Sequence, residues 1–173
     1  MTLPPPALFT ADDAEQASDE WGANCGPGAL AAVLGKTLDE VRPHLLDFEQ
    51  KRYTHPTLMF QILNGLKVRY TYKAGNLGRW DWPAFGLVRV QWEGPWMDPG
   101  VQIAVRYRRT HWVGAHTTPL GSAKIFDINA ISVGGWIDVQ TWMTSLVPWL
   151  LEECVPRANG NWYITHRIDI KRR

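Results

Sequence analysis

After Gly65 the spacing of apolar residues changes from the three-to-four rhythm of helices to alternation, and this switch limits what the chain can fold into. Before it, Pro27 to Leu34 are good helix formers with Leu30, Val33 and Leu34 on one face and Gly35 as a stop. Thr37 followed by Glu40 has the form of a capping box, opening a second short helix to about Leu46. A third spans about Thr57 to Leu63 and ends at Asn64-Gly65. Beyond the switch, Val68, Tyr70 and Tyr72 alternate with polar residues, as do Val88, Val90 and Trp92, and then Val101, Ile103, Val105 and Tyr107. Thr110 to His116 and Ala123 to Asn129 flank a turn-rich stretch and predict a hairpin. A helix is expected over about Asp138 to Cys154, with Pro148 as a kink or restart. The last strand runs from Trp162 to Ile170, with Trp162, Ile164, Ile168 and Ile170 on one face. Helices followed by a meander of strands predict an α+β fold, an antiparallel sheet packed on the early helices.

At 173 residues and 45% hydrophobic content, one core and one domain over 20–173 are expected, behind a flexible leader over 1–19 that contains Pro4, Pro5 and Pro6. The formal net charge of +1 gives no global field to recruit nucleic acid or an anionic membrane. No apolar run is long enough to span a bilayer, and the N-terminus lacks the basic and apolar regions of a signal peptide, so a cytoplasmic or otherwise intracellular location is expected. Two cysteines, Cys25 and Cys154, are a thin disulfide framework and are read as free thiols. His111 and His116 fall on opposite faces of one strand, and no glycine-rich phosphate loop is present, so neither metal nor cofactor is expected.

Cys25 opens the first helix. There the backbone N–H groups stabilise a thiolate and can hold an oxyanion, and Gly26 lets a substrate backbone approach the sulfur. A thiolate nucleophile needs a histidine to share its proton and a polar group to orient the imidazole. His111 starts one hairpin strand and Asp127 lies in the other, so hairpin pairing can bring them together. Ten tryptophans are several times usual usage. Trp21, Trp112 and Trp136 near these residues, and Trp80, Trp82, Trp92 and Trp96 in the middle of the chain, are read as a mixture of core filling and aromatic cleft walls.

The ordered set "NCGPGALAAVLGKTLDEVRPHL", "THWV" and "IFDIN" resembles the C39-like branch of the papain-like cysteine peptidases over roughly residues 20 to 130. The resemblance implies a papain-like fold, with Cys25 as nucleophile, His111 as general base then acid, and Asp127 as the orienting group. It implies a peptide or protein substrate cleaved through a thioester. Such a family usually carries a glutamine ahead of the cysteine as oxyanion donor, at the place that Asp19 occupies here; Gln16 is then the candidate donor, reaching over a bulged loop. Ile128 stands where proline often follows the aspartate, which keeps Asn129 as an alternative orienting residue. The same triad would serve a transacylase or deamidase, and without the glutamine the cleft would serve a weak or inactive protein-binding module.

Overall fold

The computed structural model describes residues 9–22 and 24–172. In chain order the helices α1 (Ala11–Trp21), α2 (Cys25–Leu34), α3 (Leu38–Val41), α4 (Phe48–Lys51) and α5 (Pro56–Gly65) come first. Then follow β1 (Tyr70–Ala74), β2 (Phe85–Trp92), α6 (Ile103–Arg106), β3 (Thr110–Thr117), β4 (Ala123–Phe126) and β5 (Trp136–Asp138). The chain closes with α7 (Val139–Thr141), a π-helical turn Trp142–Leu146, α8 (Val147–Glu153) and β6 (Trp162–Ile170). The strands form one antiparallel sheet in the order β1-β6-β2-β3-β4-β5, so the fold is α+β.

Thr37 and Glu40 cap α3 reciprocally, and Gly35 ends α2 with φ 62°, as the residue types require. The expected flexible leader is corrected over its described part. Its residues 1–8 lie outside the described residues, but Thr10 and Asp13 form a second capping box that starts α1, and Phe9, Ala14, Ala17 and Trp21 are buried. The short spacing of Ala14, Ala17 and Trp21 supplies an apolar stripe just wide enough to pack.

Both faces of the sheet are covered. One carries α1, α2, α3 and α5, whose Leu30, Val33, Leu58 and Ile62 meet Leu87, Trp112, Phe126 and Ile168. The other carries α8 and the π turn, with Trp142, Val147 and Leu150 against Val88, Val90, Val113, Ile125 and Ile164. Burial on both sides explains why β2 is buried along nearly all its length.

Two expectations fail for identifiable reasons. Val101 to Tyr107 does not form a strand: Ile103–Arg106 is a single helical turn, and Ile103, Val105 and Tyr107 are all exposed, so their alternation has no core face to bury. Trp162, Ile164, Ile168 and Ile170 do not share a face. A β-bulge in the β2/β6 register, where Val90 pairs with Ile164 but Arg89 with His166, sends Trp162 and Ile164 to the α8 side and Ile168 and Ile170 to the α2 side.

Candidate active site

Cys25 is the first residue of α2 and is half-buried. The first helical hydrogen bond runs from Gly28 N–H to Asn24 O at 2.9 Å, and the N–H groups of Cys25 and Gly26 have no partner among the described residues. Pro27, with no N–H, suits this first turn. Gly26 is also required by packing, since a Cβ there would lie 2.3 Å from Thr54 Oγ1. Thr54 in turn accepts a 2.7 Å bond from Trp112 Nε1 through its carbonyl, which ties the start of α2 to β3.

The register of β3 and β4 does what the hairpin spacing required. Gly114 pairs with Phe126, so Asp127 continues opposite Val113 and His111 is its diagonal neighbour on the same face. His111 Nε2 lies 2.8 Å from Asp127 Oδ2, and both residues are buried, Asp127 completely. With Nε2 taken by the carboxylate, Nδ1 is the nitrogen left for the hydrogen bond between His111 and the Cys25 sulfur.

The carboxylate is held from three more directions. Trp142 Nε1 donates to Oδ2 at 2.8 Å, while the N–H and Nδ2 of Asn129 each donate to Oδ1 at 2.9 Å. Asp127, not Asn129, therefore carries the bond to the imidazole, and Asn129 fixes the carboxylate. Trp142 was not legible as a site residue, because its helical spacing reads as core; only the need of a buried carboxylate for donors points to it. Trp92 stacks on the His111 ring at 6.0 Å.

These contacts set the charges. Burial works against an ionised Cys25, but the hydrogen bond and charge of His111 and the backbone amide of Trp112 outweigh it, so its pKa lies below that of an ordinary thiol. Burial likewise opposes a charged His111, yet the Asp127 carboxylate and the sulfur hold its pKa well above the usual imidazole value. Asp127 stays ionised in spite of burial, its pKa lowered by His111 and the bonds from Trp142 and Asn129. Each shift favours the charged form of its group: thiolate at Cys25, imidazolium at His111 and carboxylate at Asp127.

Gln16 is not brought to this site. It stands on the solvent face of α1, where Nε2 donates to Glu20 Oε1 at 2.7 Å, since Ala14, Ala17 and Trp21 take the buried face. Asn24 instead lines the cleft beside Cys25, its Nδ2 donating to Ala14 O at 2.9 Å and retaining a second proton. The cleft, of about 260 Å³, runs from Cys25 and His111 to Asn129 and Cys154. A second cavity of about 220 Å³ opens on the Gly26 and Tyr53 side of the sulfur.

Among the described residues no three His, Cys, Asp or Glu side chains cluster to hold a metal ion, and no helix is long and apolar enough to cross a membrane. No protein-family model matches the chain, and neither does any curated protein.

Proposed function

We propose that this protein is a cysteine hydrolase of the papain-like, C39-like kind, acting on an amide or isopeptide bond of a peptide or protein. The observation that carries this reading is the buried line of contacts from Asp127 through His111 to a half-buried Cys25 at a helix start, opening on a cleft. In the reaction the thiolate attacks the carbonyl carbon and the carbonyl electrons move to oxygen. The free N–H of Cys25 receives that oxyanion, with the Asn24 amide as the neighbouring side-chain donor in the cleft. The imidazolium gives its proton to the leaving amine as the C–N bond breaks, which leaves a thioester and a neutral His111. Water then attacks the thioester while His111 takes its proton, and collapse of the tetrahedral intermediate breaks the C–S bond, releasing the acid and restoring the thiolate beside the imidazolium. An amine in place of water would turn the acyl-enzyme to transfer, and water attack on a glutamine-derived thioester would be deamidation.

The displacement of Gln16 to the outer face of α1 favours the second reading, a binding module with an idle cleft. Alkylation separates the two. Iodoacetamide should modify Cys25 faster than Cys154 near neutral pH, its rate holding to lower pH than that of an ordinary thiol, and His111→Ala should remove that advantage. An activated ester should leave an acyl group on Cys25 that decays by hydrolysis, seen by mass. If Cys25 reacts no faster than Cys154, the hydrolase reading is lost.

A further inference from the structure

Three adjoining concavities meet at Arg108. The cleft of about 260 Å³ beside Cys25 and His111 is lined by Arg108 and Arg109, and the cavity of about 220 Å³ on the other side of the sulfur by Arg52 and Arg108. A third, of about 600 Å³, continues past Trp96 between Arg108, Arg109 and Arg157. Among the described residues no aspartate or glutamate lines any of them.

The cations are not there by excess, because the whole chain carries only +1. Several basic residues elsewhere are paired, as in Lys36 with Glu40, Arg42 with Glu20 and Arg167 with Asp81. Among the described residues Arg52, Arg108, Arg109 and Arg157 enter no ion pair, and all four are exposed. Arg52 and Arg157 also sit at φ 54° and 71°, a backbone conformation that favours glycine or asparagine over a long side chain. Behind the wall lies a fifth cation. Arg89, 3% exposed, donates through Nη2 to Tyr53 Oη at 2.6 Å and to Tyr107 O at 3.1 Å, and through Nη1 to Thr165 Oγ1 at 3.2 Å, with no carboxylate partner among the described residues. A buried charge behind one wall and exposed charges along the others place positive charge in the concavities on both sides of the sulfur.

We propose that the cleft takes a polypeptide segment with acidic side chains on both sides of the bond that reaches Cys25. The inference rests on the hydrolase reading above and names the substrate class. Arginine forks pair bidentately with carboxylates, and they flank a nucleophile suited to carbonyl carbon, which favours an acidic peptide over a phosphate backbone.

The test compares two peptidyl chloromethyl ketones that differ only in carrying glutamates or lysines, whose methylene carbon the Cys25 sulfur captures as chloride leaves. At low salt the glutamate probe should inactivate the protein about tenfold faster. That advantage should shrink about threefold in Arg108→Gln and fall with added salt in the unmodified protein, a series that stands should the variant not fold. Equal rates, or a faster lysine probe, with iodoacetamide still favouring Cys25 would overturn the acidic substrate and leave the hydrolase. Loss of the iodoacetamide preference would remove both. Better protection of Cys25 by a single-stranded oligonucleotide than by polyglutamate would also overturn it, assigning the cleft to nucleic acid.

Discussion

Asp127 shows how much a single buried carboxylate demands of its neighbours. Removed from water, it is ionised only because His111, Trp142 and Asn129 supply four hydrogen bonds to its two oxygens. Trp142→Phe keeps most of the ring and deletes one donor. The variant should lose about 1.5 to 3 kcal/mol at neutral pH, measured by urea denaturation. A lowered Asp127 pKa contributes stability that is present above the unfolded value and lost as pH falls through the folded one. The deficit of the variant should therefore narrow on acidification, whereas a deficit that is constant with pH would mean that only packing was lost. Of the site residues, Cys25, His111 and Asp127 could be read from residue type and order, because a line of cysteine, histidine and carboxylate has few substitutes. Gln16 was misplaced because its face on α1 depends on Ala14 and Trp21, outside any motif.

Among the elements, α2 is packed closely at both ends. Its first turn lies against Thr54, and further along a Cβ at Gly114 of β3 would meet Val33 Cγ2 at 2.7 Å. Gly26→Ala should force the helix start away from Thr54, at about 1 to 3 kcal/mol, and slow alkylation of Cys25 as the sulfur leaves His111. Thr54→Ala added to it should restore part of both, since it removes the nearest atom. If the single variant is as stable and as reactive as the parent, the tight contact does not position the nucleophile. Capping signals made α2 and α3 legible at this scale, and the same logic in Thr10 and Asp13 marks α1, which proline-rich and acidic surroundings obscured.

At the scale of the whole molecule, the sheet encloses a polar seam between its two apolar faces. His166 on β6 has its pKa lowered to about 4, first by burial and then by the charge of Arg89. Thr165 shares its hydroxyl with the His166 ring and Arg89, and Phe60 packs against the imidazole. Between the unfolded value of about 6.5 and that lower one, the unfolded chain binds a proton that the folded protein refuses. Stability should thus fall as pH drops from about 6.5 to about 4. His111 acts in the opposite sense, its contribution complete below about 6.5 and lost as pH rises through its raised folded value. His166→Gln should flatten the acid-side loss in urea titrations at pH 7 and pH 5. An unchanged difference between the two pH values would exclude His166 as its source.

The α+β class, the helix start at Cys25 and the hairpin that pairs His111 with Asp127 were determined by the sequence alone. Each depends on periodicity, caps or register over a few residues, and local backbone physics acts at that range. The face that each half of β6 presents, the packing of residues 9–19 beside α2 and the Trp142 bond to Asp127 were decided only in the tertiary structure. A bulge exists only relative to the partner strand, a helix of alanines is buried only when a second surface covers it, and a donor finds a buried carboxylate only after the core has excluded water.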